Sequence, residues 1–243
     1  QTEPKVLVVC DGYFYTGKTF DTRDKFAEVL AALPSVEASF MLGFADEDAD
    51  TGPLTGTKRL DTALARHGEA TTPTFKQMNF NAPMVIMFSS GTTGKPKCIE
   101  HGQGGVLLKQ LTEHLLHNNT RPDDRTFFFT TCGWMMWNWL ITGLQTGATV
   151  MLYDGSPFAP DPLVLWRFAE EHGINSMGLS AKYVDALNKQ EVRPTTVGSF
   201  EDMRLIATTG STLVHESFDY LYEHVKSDVH VMSCSGGTDL LGC

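Results

Sequence analysis

The sequence predicts an α/β fold of layered, largely parallel β-sheets flanked by helices. Two observations carry that prediction. Short runs rich in Val, Ile, Phe and Met alternate with longer segments whose apolar positions recur at helical spacing. Between them, capping residues, prolines and glycines stand where helices should begin and end.

Taken in order, KVLVVC (5–10) is a strand. Asp21 is placed to cap a helix running to about Leu33, with Phe26, Val29, Leu30 and Leu33 on one side. VEASFML (36–42) is a second strand. From Ala45 to Pro83 the chain turns Asp-, Gly- and Thr-rich, with one short helical stretch, RLDTALARH. Residues 1–83 therefore read as an incomplete α/β lobe plus a connection, and 84–243 as a second, more regular lobe.

In the second lobe MVIMFSS (84–90) is a strand, followed by a glycine-rich loop and KCIEH. A helix over roughly 104–118 puts Leu107, Leu108, Leu111 and Leu115 on an inward stripe, with Lys109 and Glu113 paired on its outer side. RTFFFT is a strand, MMWNWLITGL a helix and ATVMLY a strand. Asp161-Pro162 opens a helix that Gly173 stops. INSMGL is a strand, the Ser180-capped SAKYVDALNKQ a helix, MRLIATT a strand, HESFDYLYEHV a helix and DVHVMSC a strand. The apolar stretch 134–153 is broken by Asn138, Gln145 and two glycines, so it divides into a buried helix and a strand and predicts no membrane span.

Composition narrows the function classes. The 243 residues carry a formal charge of −10 and no run of basic residues longer than two, which argues against nucleic acid and anionic membranes as partners. Any nucleotide must be held by local loops against the global field. The five cysteines, Cys10, Cys98, Cys132, Cys234 and Cys243, are odd in number and never form C-x-x-C, which suggests reduced thiols in the cytoplasm. His114 and His117 lie three apart on a helix without a third metal ligand and are expected to be solvated or cap-bonded.

Ligands of such sheets bind beyond the carboxyl ends of the strands. Three small, polar, glycine-bearing loops follow strands, at 89–97, 209–212 and 233–239. Two stretches compete for phosphates. Gly12 and Gly17-Lys18-Thr19 match G-x-x-x-x-G-K-[ST], the pattern of a P-loop NTPase, but Tyr13, Phe14 and Tyr15 fill the loop and Asp21 follows closely; a tight β-hairpin turn at Thr16-Gly17 is the competing reading. SSGTTGKPK (89–97) is richer: Ser89, Ser90, Thr92 and Thr93 offer hydroxyls, Gly91 and Gly94 permit close backbone approach, and Lys97 adds a cation.

That second loop resembles the phosphate loop of the adenylate-forming enzymes, which include acyl-CoA synthetases, luciferases and the adenylation domains of peptide synthetases. The resemblance runs from about Pro4 to the last residue, and FTTCGWMMWNWLITG, YDGSPF, SAKYVDAL and SGGTD point to the acyl-CoA synthetase members. It implies that the chain is the central part of a large N-terminal domain, lacking N- and C-terminal parts of its own polypeptide and catalytically crippled alone. It implies activation of a small carboxylic acid with Mg-ATP to an acyl-adenylate, then transfer to coenzyme A. A non-catalytic ATP-binding or scaffold fragment is the alternative. In similar enzymes the DGY…GK turn has no phosphate role.

By the same resemblance, Ser89 to Gly94 with Lys97 hold the β- and γ-phosphates, and Gly210, Ser211 and Thr212 lie along adenine, faced by Ser235, Gly236 and Gly237. Thr238 reaches the α-phosphate, and Asp239, where most relatives have Glu, ligates Mg²⁺ directly or through water. Trp134, Met135, Met136, Thr209 and Gly236 line the acyl pocket. Acetyl-CoA synthetases place a tryptophan where this chain has Gly236, so a glycine there is expected to leave room for an acid longer than acetate.

Overall fold

The computed structural model describes residues 2–68, 72–89 and 94–243. The chain forms two compact units, one of residues 1–77 with 154–156 and the other of residues 78–153 with 157–243.

In the first unit β1 (Val6–Cys10), β4 (Ala38–Leu42) and β5 (Lys58–Arg59) make a parallel sheet, with α1 (Arg23–Ala31) and α2 (Leu60–Ala65) following strands. Between β1 and α1 stand β2 (Gly12–Tyr15) and β3 (Lys18–Asp21), paired antiparallel with Tyr15 opposite Lys18. The two turn residues, Thr16 (φ 49°) and Gly17 (φ 74°), both take positive φ, the signature of a tight hairpin turn. The GxxxxGK[ST] match is therefore a hairpin. No helix follows it directly, and a Cβ on Gly12 would stand 2.5 Å from the Phe20 carbonyl oxygen. The amide nest nearby is filled by the chain itself: Asp11 accepts backbone N–H bonds from Phe44 (2.6 Å), Ala45 (3.0 Å) and Asp46 (2.9 Å).

The second unit begins with a separate antiparallel hairpin of β6 (Pro83–Ser89) and β7 (Lys97–Gly102). Then α3 (Gln103–Thr112) passes into a wider helical turn over Glu113–His117. The main sheet is built from β8 (Arg125–Phe128), β9 (Thr149–Met151), β10 (Ser176–Ser180), β11 (Leu205–Thr209) and β12 (His230–Ser233), interleaved with α4 (Met135–Thr142), α5 (Val164–Glu171), α6 (Ala181–Lys189) and α7 (His215–His224). Its order is β12-β11-β10-β8-β9, and every pairing is parallel.

Alternate residues of these strands feed two cores, as the two-residue strand period dictates. Phe127, Ile206 and Val231 join α5, α6 and α7 on one face; Phe128, Ala207 and Met232 join α4 on the other. Both faces are covered, so β10 and β11 are each buried at four successive positions. Helix ends follow the expected chemistry at Ser180 and Gly173, whereas α5 begins after Leu163 without a side-chain cap and Asp161 bonds in the turn before it. Ser180 Oγ accepts the Tyr183 N–H at 3.1 Å, Asp161 Oδ1 accepts the Leu163 N–H at 2.9 Å, and Gly173 turns with φ 56°.

Helix α3 reverses the sequence expectation. Its buried side is polar: Gln110, Glu113 and His114 are enclosed with Val106, whereas Leu108 and Leu115 are exposed and Leu107 and Leu111 half-buried. The Lys109–Glu113 pair forms, but Glu113 is buried rather than outward-facing. His114 is neither solvated nor at a cap. Its Nε2 donates to the Trp139 carbonyl at 2.8 Å, and burial lowers its pKa from the ordinary histidine value despite that bond.

Burial pushes the Asp11 carboxyl up, but the amides of Phe44, Ala45, Asp46 and Gly12 together hold it below its ordinary value. Its contribution is thus complete above the unfolded pKa near 3.9 and is lost as pH falls through the lower folded value. Asp11→Asn turns an amide donor toward backbone donors and is expected to destabilise the first unit by about 1–3 kcal/mol at neutral pH. The difference from wild type should shrink below about pH 4, as read by urea denaturation across pH.

Candidate functional site

The strand order fixes where a ligand can sit. After β8 the chain crosses outward to β9, returns past β8 to β10, and continues away through β11 and β12. The direction of winding reverses between β8 and β10, and loops that leave their carboxyl ends diverge to opposite faces and open a crevice. There the structure has a cavity of about 470 Å³, lined at the end of β8 by Phe128 and Phe129, at the junction of β10 and α6 by Ser180 and Lys182, and at the end of β11 by Thr209, Gly210 and Ser211. Trp134, Met135 and Met136 close one side, and Gly236, Gly237, Thr238, Gly242 and Cys243 another.

The two later loops are tied together at their roots. The Cys234 N–H donates to the Thr208 carbonyl at 2.7 Å, and Thr209 Oγ1 donates to the Cys234 carbonyl at 3.1 Å. Gly210 leaves β11 with φ 87°, a left-handed turn open to glycine and strained for other residues. Nothing stands within 4 Å of where its Cβ would be, so backbone faces open space. Beyond β12 the chain doubles back, Gly237 N–H donating to the Gly242 carbonyl at 3.1 Å. A Cβ on Gly236 would lie 2.0 Å from that same oxygen. Glycine at 236 is thus required by the returning backbone, which passes where its Cβ would be.

Of the residues singled out in the sequence, Trp134, Met135, Met136, Thr209, Gly210, Ser211, Gly236, Gly237 and Thr238 come together around this one cavity. Thr212, Ser235 and Asp239 stand outside its lining, as do Ser89, Gly94 and Lys97 among the described residues. Ser90, Gly91, Thr92 and Thr93 lie outside the described residues. The β6–β7 hairpin reaches the same loop through its base, where His101 Nε2 contacts the Thr238 carbonyl at 2.8 Å. Asp239 is exposed, and its Oδ1 would be 2.4 Å from a Cβ on Gly237, so the carboxylate folds back toward the glycine wall. No cluster of three or more His, Cys, Asp or Glu among the described residues could hold a metal by itself.

Sequence reasoning missed Lys182, the only charged side chain among the described lining residues. It sits in the first turn of α6, where the helix dipole also favours an anion. The signal was available, because Lys182 lies two residues after Ser180, which ends a strand and caps α6. The thiols of Cys234 and Cys243 are joined by a hydrogen bond, which raises the pKa of Cys234, with burial adding to the rise, and lowers that of Cys243.

A sheet with its winding reversal at a glycine-lined crevice is the setting of a nucleotide-using α/β enzyme. The family model for AMP-binding enzymes matches residues 1–242, and the chain belongs to that family. It is 44% identical over 244 residues to the acetoacetyl-coenzyme A synthetase of Rhizobium meliloti (strain 1021), covering all of this chain and 37% of that protein. It is 38% identical to malonamoyl-CoA synthetase vrtB of Penicillium aethiopicum, over 99% of this chain and 36% of that one. The solved acetoacetyl-CoA synthetase from Streptomyces lividans superimposes with a TM-score of 0.91 at 40% identity, over 99% of this chain and 37% of that one. The chain thus spans little more than a third of the length of these relatives. No helix among the described residues is long and apolar enough to cross a membrane.

Gly178 lies opposite Phe128 across β10 and β8, and a Cβ there would meet the Phe128 ring at 1.9 Å. Gly178→Ala should displace that ring toward the cavity and lower stability by about 1–3 kcal/mol. Thermal denaturation checks the loss; an unshifted melting curve would contradict the packing described.

Proposed function

We propose that the chain is the nucleotide- and acyl-binding part of an AMP-forming ligase, in the cytoplasm, that converts a short carboxylic acid and Mg-ATP to an acyl-adenylate and passes the acyl group to coenzyme A. The observation that carries this reading is the gathering of the loops after β8, β10, β11 and β12 around one cavity, in a member of the AMP-binding enzyme family.

The chemistry of the lining supports a division of labour. Backbone at Gly210-Ser211 and Gly236-Gly237 is bare enough for a flat adenine to lie between, because neither wall projects a large side chain. Thr238 brings a hydroxyl to the α-phosphate, the atom at which the acid's carboxylate attacks as pyrophosphate leaves. Met135, Met136 and Trp134 supply an apolar wall for the acyl chain. Mg²⁺ commonly takes one or two protein carboxylates and fills its remaining positions with phosphate oxygens and water. Asp239, folded toward Gly237, fits such a single ligand; the metal would shield phosphate charge. Ser89 to Gly94 with Lys97 are assigned to the β- and γ-phosphates on the residue types that the loop carries.

The names of the relatives favour a substrate class. Acetoacetate and malonamate share the form R–CO–CH₂–COO⁻ and are nearly isosteric, methyl replacing amide nitrogen. We assign this chain an acid of that class, with acetoacetate foremost. The test is acetoacetate-dependent ATP–pyrophosphate exchange by the chain and by a polypeptide that extends it to the length of its relatives. Exchange is expected in the extended form alone, reduced at least about tenfold by Thr238→Ala and unchanged by Lys18→Ala. An extended polypeptide that binds ATP without exchange would instead make this a non-catalytic nucleotide-binding protein.

A further inference from the structure

Four side chains from β7 and the α3 region hold the backbone of the segment that carries Thr238. His101 contacts the Thr238 carbonyl, and the fully buried Gln110 donates its Nε2 hydrogen to the Leu241 carbonyl at 3.1 Å. Glu113, 2% exposed, accepts the Cys243 N–H at Oε1 (2.8 Å) and the Trp139 indole N–H at Oε2 (2.9 Å), and pairs with Lys109. Lys109 in turn donates to the Cys243 carbonyl at 2.8 Å. The backbone lies directly on this carboxylate, for a Cβ on Gly242 would be 2.1 Å from Glu113 Oε1.

Glu113 thus joins two walls of the cavity. One is the returning segment that ends the Gly236–Thr238 turn. The other is α4, where Trp139 packs with Met136 and Phe128. We propose that Glu113 is a positioning residue for adenylate formation, fixing the Thr238 loop against the acyl-pocket helix. The proposal rests on the ligase reading above. Three donors converge on the group, and only an acceptor-only carboxylate satisfies all three; a glutamine would aim its own N–H at one of them. An aspartate, one methylene shorter, would not span from α3 to both the indole and the Cys243 amide.

The experiment uses the polypeptide extended to the length of its relatives and compares Glu113→Gln with Val184→Ala, a core change in α6 away from this segment. Hydrogen exchange of the peptide 236–243 is expected to quicken about tenfold in Glu113→Gln and not in Val184→Ala. The kcat for pyrophosphate exchange should fall about tenfold or more in Glu113→Gln, with a smaller change in KM for ATP, beyond any loss explained by its melting temperature. If Glu113→Gln does not fold, Gly242→Ala tests the same contact from the other side and should reproduce both effects. Unchanged exchange at 236–243 in an active enzyme, or activity losses that track melting temperature in both variants, would overturn the clamp. A wild-type polypeptide without acetoacetate-dependent exchange would overturn the ligase reading instead, and with it the catalytic part of this proposal.

Discussion

The parallel pairing of β8, β10, β11 and β12, with the winding reversed between the first two, is the constraint on which the site depends. Parallel strands send every carboxyl end to one edge. The reversal then parts the loops, because the connection out of β8 runs through α4 on one face while that out of β10 enters α6 on the other. The bonds from Cys234 to Thr208 and from Thr209 to Cys234 keep the two glycine-bearing loops level with each other. A flat ligand between them would meet backbone on both sides.

Depth below that crevice is polar by necessity. The chain after β12 turns back without joining the sheet, leaving carbonyls and amides that neither ladder nor solvent satisfies. A buried N–H or C=O without a partner is costly. Helix α3 and the wider turn that continues it meet the requirement with Gln110 and Glu113 on the face where a simple amphipathic helix would bury leucines. Stability and site geometry are therefore carried by the same contacts.

Much of this was legible in the chain. The strands and helices of 84–243 follow from apolar periodicity, from Ser180 as a cap and from Gly173 as a stop, all local signals. Helix α3 was read inside out because periodicity locates stripes but does not say which stripe faces inward; Leu108 and Leu115 form a better apolar pattern than Val106, Gln110 and Glu113. Local spacing paired Lys109 with Glu113 correctly, and only tertiary packing could reveal that Trp139 and Cys243 share the carboxylate. At Gly12–Thr19 the hairpin reading holds against the phosphate-loop match. Its residue pattern is right, but positive φ at Thr16 and Gly17 folds it onto itself, and Asp11 occupies the amides close by. At Gly236 a backbone passes 2.0 Å from where a Cβ would be, a contact across the turn that spacing does not encode.

The most direct measurement is amide NMR of the labelled chain titrated with Mg-ATP. Saturable shifts at Gly210, Ser211, Gly236, Gly237 and Thr238, with Gly17 and Lys18 unmoved, are the expected outcome. Shifts gathered at residues 12–19 while those five amides stay still would contradict the convergence of the strand-end loops on a single nucleotide.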